Sequence, residues 1–153
     1  MKIRLIDFIK TSKFGNVELG MTKQDVINYL GATDSITDLG ETGEIYVYGW
    51  YELFFQTDNI LHSIQNDNFN PESTETYEFK NSFFSIDPWI MKYQKSFSID
   101  NVSEELASEG VDFSIIDYCG REVLKSSSGV VLDFDEEQND KGFREFIGIR
   151  LWP

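Results

Sequence analysis

A single cysteine, Cys119, excludes an internal disulfide and fits a reducing compartment. A single histidine, His62, removes most metal-binding and nucleophile–base combinations in one stroke. Cationic residues are scarce: 13 Lys and Arg stand against 27 Asp and Glu, a net charge of −14. Such a field repels nucleic acid and anionic membrane and favours a basic partner, although acidity also simply keeps a protein soluble. No apolar run approaches the roughly 18 residues needed to span a bilayer. The opening Met1-Lys2-Ile3-Arg4-Leu5-Ile6-Asp7 places a charge in every turn and has no small-residue cleavage site, so it does not read as a signal peptide. These features lead to an expected cytoplasmic location.

Catalytic signatures are missing as well. The chain has no G-x-S-x-G, phosphate loop, H-E-x-x-H or cysteine pair, and no cofactor or metal site is expected. His62, in Leu61-His62-Ser63-Ile64, reads as a partly buried structural residue on a strand, with a general base as the alternative. Cys119 sits beside Gly120 in a turn, with no histidine near it in sequence. The acidic run from Asp133 to Gly142 fails the calcium-loop pattern. Gln138 stands where the sixth position needs glycine, and Arg144 where the twelfth needs glutamate.

What the chain has in quantity is aromatic residues, 15% of the total, enough for a substantial core. Local punctuation is equally plain between Phe14 and Gly31. Thr22 is a helix N-cap, Asp25 stands at N3 as in a capping box, and Met21 and Val26 have the spacing of a hydrophobic staple. Val26, Ile27 and Leu30 share a face, and Gly31 supplies the stop. A shorter helix precedes it, carrying Ile3, Leu5, Ile6, Phe8 and Ile9 and ending near Thr11 or Ser12. Asp87-Pro88-Trp89 predicts a further helix start, and Asn101, Glu104 and Gly110 read as cap, N3 acid and stop of another helix.

Strand-like runs follow each helical part. Glu44–Tyr48, Tyr51–Gln56 and Ile60–Asn66 occur in the first half. Asp112–Tyr118, Arg121–Ser126, Val130–Asp135 and Glu145–Trp152 occur in the second. Ala32–Gly43 reads as a polar connection, and Asp67–Asn81 as the least ordered piece, with Tyr77 and Phe79 able to pin it down.

The halves share one offset. Thr22 and Asn101, Asp25 and Glu104, and Gly31 and Gly110 are each separated by 79 residues. The same shift carries Tyr51, Leu53 and Phe55 onto Val130, Leu132 and Phe134. The expected fold is therefore α+β: two tandem α-α-β-β-β(-β) repeats that build one antiparallel sheet with helices packed on one face. Its organisation would be residues 1–66 as the first repeat, 67–85 as a linker and 86–153 as the second repeat, together one compact unit.

Gly20-Met21-Thr22, followed by Val26, Leu30 and Gly31, resembles a signature of two groups of exported bacterial proteins. These are the β-lactamase inhibitory proteins and the small outer-membrane assembly lipoproteins. Toxin-neutralising immunity proteins have a similar look. The resemblance implies a helix-loop-helix on a small antiparallel sheet and, for the inhibitors, tandem repeats that act through the sheet face. The absent signal peptide departs from both groups, and the absent lipid-attachment cysteine departs from the lipoproteins.

If Val47, Ile149 and Leu151 face the helices, alternation puts Tyr46, Tyr48, Arg150 and Trp152 on the open face. Tyr, Trp and Arg dominate protein-binding hot spots. Trp50, in the turn before Tyr51, adds a rim contact, and Asp133, Asp135 and Glu137 make an anionic edge. Alternatively these aromatics pack on one another or beneath residues 67–81. Three functions compete: a non-enzymatic immunity or inhibitor protein that blocks a basic partner such as a toxin domain, a small enzyme using His62 with carboxylates, and an assembly module. The binding protein ranks first.

Overall fold

A computed structural model describes all of residues 1–153. Strand β1 (Lys2–Arg4) leads directly into helix α1 (Leu5–Thr11), which buries Leu5, Ile6, Phe8 and Ile9 and ends on Ser12 in the left-handed conformation. Helix α2 (Lys23–Leu30) starts as its sequence dictates. The Thr22 hydroxyl accepts from the Asp25 amide and the Asp25 carboxylate accepts from the Thr22 amide, a complete capping box. It stops at Gly31, whose φ of +80° disfavours any side chain.

An antiparallel meander follows: β2 (Ser35–Asp38), β3 (Glu44–Tyr48), β4 (Tyr51–Phe55) and β5 (Leu61–Asn66). The predicted strands of this half sit within a residue or so of these bounds. Strand β2 lies inside the expected polar connection. All its side chains are exposed, so it has no hydrophobic pattern to betray it, and backbone pairing to β3 alone makes it a strand.

Residues 67–97 are ordered by burial. Phe69, Tyr77 and Phe84 are buried, and the Tyr51 hydroxyl donates to the Tyr77 carbonyl at 2.6 Å. Strand β6 (Ser85–Asp87) pairs in parallel with β1, tying this segment to the chain's first strand. Past Pro88 the chain makes a 3-10 turn over Trp89–Tyr93, where an α-helix start was predicted. Helix α3 (Ile99–Ser108) then corrects the expected cap: Ser98, not Asn101, is the N-cap, and Asn101 is the N3 partner. The caps are thus separated by 76 residues, and of the helix signals only the glycine stops keep 79. Val102 and Leu106 carry the buried stripe of α3.

The second meander comprises β7 (Phe113–Tyr118), β8 (Arg121–Ser126), β9 (Val131–Gln138) and β10 (Arg144–Leu151). The last strand of each meander pairs with the other, β5 with β10, giving one eight-stranded sheet in the order β2-β3-β4-β5-β10-β9-β8-β7. The protein is α+β, with three α-helices and this large antiparallel sheet.

Buried side chains of α1, α2, α3 and the 67–97 segment join one cluster with alternate strand residues, among them Leu53, Ile64, Leu132 and Ile149. Tyr51, Leu53 and Phe55 on β4 are at most 1% exposed, and Val130, Leu132 and Phe134 at β9 are fully buried, so both predicted inward sets point to this core. Gly148 sits where β10 meets β5. A Cβ there would strike the carbonyl oxygen of Asn66 and come within 2.7 Å of the Asp67 Cα, so only glycine fits.

Candidate functional site on the uncovered sheet face

Register defines the face away from the core. One row crosses the sheet through Ser35, Val47, Glu52, Gln65, Arg150, Val131, Lys125 and Ser114, each paired with the next. None of these side chains belongs to the core cluster. The adjacent positions across β7 to β10 bring Tyr118, Arg121, Asp133 and Trp152 beside Arg150.

These residues form a connected group on four strands. The two-residue turn at Cys119-Gly120 sets Tyr118 directly opposite Arg121. Arg121 grips Asp133 with both prongs of its fork, Nε to Oδ1 at 3.0 Å and Nη2 to Oδ2 at 2.9 Å. Arg150 reaches the same carboxylate at 2.7 Å from Nη1, and the Phe134 amide donates to it at 2.8 Å. The hydrogen bonds that Arg121 donates to Asp133 favour the charged guanidinium and raise the Arg121 pKa above its ordinary value. Aromatic rings close the assembly. The Tyr118 ring lies 5.1 Å from the Arg121 guanidinium and 5.8 Å from that of Arg150. Trp152 stacks at 5.7 Å on Arg150 and 5.8 Å from Tyr118.

Asp133 is therefore fully buried although it lies on the open face, because the two arginines cover it. This corrects its expected place in a solvated acidic edge. Asp135 and Glu137 do stand exposed on the outer part of β9, with Glu136 between them reaching Arg121 at 3.4 Å. Asp67 lies 3.8 Å from Arg150 Nη2. The positive charge of both arginines is thus answered locally, and the face retains an acidic rim.

Trp152 and Trp50 are 41% and 40% exposed. Trp50 borders a shallow depression of about 360 Å³ with Val47, Gly49, Glu52 and Asn68, on the same face. Burial raises the pKa of Glu52 above the ordinary carboxylate value.

Tyr46 and Tyr48 lie on the opposite side from where they were expected. Tyr46 pairs with Leu53 and Tyr48 with Tyr51, so both point into the core, and Tyr48 is fully buried. The Tyr48 hydroxyl donates to the Gly31 carbonyl at 2.9 Å, which makes its burial tolerable. Burial also pushes its pKa up to about 12. A Tyr48 in this position supports α2 and cannot touch a partner.

Sequence reading missed Tyr118 and Arg121. The available signal was strand alternation: counting outward from inward-facing Leu132 through the β8–β9 pairing puts Lys125, Val123 and Arg121 on the outer face. His62 is partly exposed on β5 and forms no ion pair with a carboxylate. No group of His, Cys, Asp and Glu has the arrangement of a metal site. Cys119 is exposed at a turn with φ of +51°.

The fold and face define an α+β protein with an aromatic, acidic-rimmed sheet surface. No family model, no curated protein and no solved structure matches the chain.

Proposed function

We propose that this is a non-enzymatic binding protein that blocks a basic protein partner, such as a toxin domain, through the uncovered sheet face. It would act as a cytoplasmic immunity or inhibitor protein. The observation that carries the reading is the pairing of two exposed tryptophans, one braced by buried ion pairs, with a rim of carboxylates on a face that no helix shares. Exposed, rigid aromatics are what binding surfaces use for affinity, and net charge of −14 steers a cationic partner toward the surface. The exposed, unpaired Cys119 accords with a reducing compartment.

In this reading the chain is two tandem α/β units of the kind seen in the β-lactamase inhibitory proteins. Support comes from the strand order, which runs identically inward from either edge to the central β5–β10 pair. The inward triplets of β4 and β9 keep their 79-residue offset, and α2 and α3 both start with capping boxes, here offset by 76.

The test is affinity capture from a lysate of the native host with the full chain and with Trp152→Ala. The expected result is a basic protein retained at low salt, released as salt rises, and held far less by the variant. Retention of no basic protein at low salt would remove the reading's support.

A further inference from the structure

The uncovered face holds two different kinds of group, and they assign different tasks. Asp135, Glu136 and Glu137 are exposed on an extended strand end. Such charges attract at a distance and are screened by salt. The Tyr118–Arg121–Asp133–Arg150–Trp152 group is instead fixed. Arg121 and Arg150 side chains keep only 14% and 12% exposure and share one carboxylate. The Tyr118 and Trp152 rings lie on guanidinium groups that cannot move without breaking those bonds.

Resting on the binding function proposed above, we infer that this group is the anchor of the interface and that it takes an apolar or aromatic side chain flanked by Lys or Arg. Tyr118 and Trp152 are the contact residues. Arg121, Asp133 and Arg150 are positioning residues, which act only by holding the rings. Charge complementarity names the occupant. The group's own cations are matched by Asp133, Glu136 and Asp67. Those three carboxylates outnumber the two guanidinium groups, so a guest meets ring surface at the centre and net negative charge around it, with the Glu136 side chain 79% exposed. An acidic or purely polar peptide gains nothing there, whereas an apolar residue between cations satisfies both parts. Preorganised rings lose little freedom on binding, so they govern the dissociation rate, while the rim governs the association rate.

The test uses the full chain against a phage-displayed library of random linear peptides at low salt, followed by surface-plasmon kinetics on a synthesised enriched peptide. Basic peptides with a central apolar residue are expected. Trp152→Ala should weaken them by about tenfold or more, almost all in the dissociation rate. Arg121→Lys keeps the charge but loses the bidentate grip, and should raise the dissociation rate several-fold with the association rate unchanged. The paired change Asp135→Lys, Glu137→Lys should slow association and leave dissociation nearly constant. Thermal melts check that each variant remains folded, and Trp152→Ala removes a side chain that lies beyond β10 outside the core cluster. Basic peptides that bind Trp152→Ala as tightly as the native chain would overturn the anchor while sparing the binding function. A library yielding no basic sequences would overturn both.

Discussion

Arg150 Nη1 lies 2.7 Å from Oδ2 of Asp133, a carboxylate with no exposed surface whatever. Two arginines share that single buried anion, so its removal leaves both cations poorly solvated, Arg121 with only Glu136 at 3.4 Å and Arg150 with only Asp67 at 3.8 Å. Asp133→Asn is expected to destabilise the fold by about 3–5 kcal/mol, the range for breaking a buried ion pair from one side. Urea denaturation monitored by circular dichroism measures it. A loss under about 1 kcal/mol would mean that the cluster is no more than a surface ion pair.

Tyr48 gives a pH-dependent prediction. Its folded pKa of about 12 exceeds the ordinary tyrosine value of 10.0, so the folded state holds the proton more tightly than the unfolded chain. Stability from this group is fully present below pH ~10 and is lost as pH climbs toward ~12. Tyr51 and Tyr77, also raised by burial, act in the same direction. Denaturation midpoints should therefore fall steeply on the alkaline side, and less steeply in Tyr48→Phe. At neutral pH that variant should cost about 1–3 kcal/mol, since the Gly31 carbonyl loses its donor.

The cap of α3 separates two readings of one sequence. With Ser98 accepting from the Asn101 amide at 3.1 Å, Ser98→Ala should cost about 1 kcal/mol. Glu104→Ala, at the position first expected to close a capping box, should change stability by less than about 0.5 kcal/mol. The reverse order in chemical denaturation would restore Asn101 as the cap.

Gly148 tests the join between the meanders. Adding a methyl drives it into the backbone of Asn66 and Asp67, which no rotamer change relieves. Gly148→Ala should destabilise by about 1–3 kcal/mol or more by thermal melt. Gly110→Ala, whose Cβ would meet nothing, carries only the strain of its φ of +72° and serves as the comparison.

Much of the fold was legible in the sequence because its signals are local. Thr22 and Asp25 declare a helix start, and the seven longest strands announce themselves through β-branched and aromatic runs. Strands β1, β2 and β6 are short and gain their identity only from pairing, which no local pattern encodes. The candidate face was half legible. Arg150 and Trp152 were placed correctly by alternation from Ile149 and Leu151, which are buried. Tyr46 and Tyr48 were misplaced because an aliphatic Val47 was preferred for the core. The hairpin itself held the answer: a two-residue turn at Gly49-Trp50 makes Tyr48 face Tyr51, already read as inward. Asp133 looked like one more surface acid, since its burial depends on Arg121 and Arg150 arriving from two neighbouring strands.

The most direct measurement of the central claim is which face a partner touches. A photo-reactive benzophenone residue would replace Lys125, exposed on the outer row, or Asn28, exposed on α2, before incubation with the basic protein captured at low salt. Crosslinking from position 125 and none from position 28 is the predicted result. Crosslinking from position 28 alone would place the partner on the helices and contradict the account.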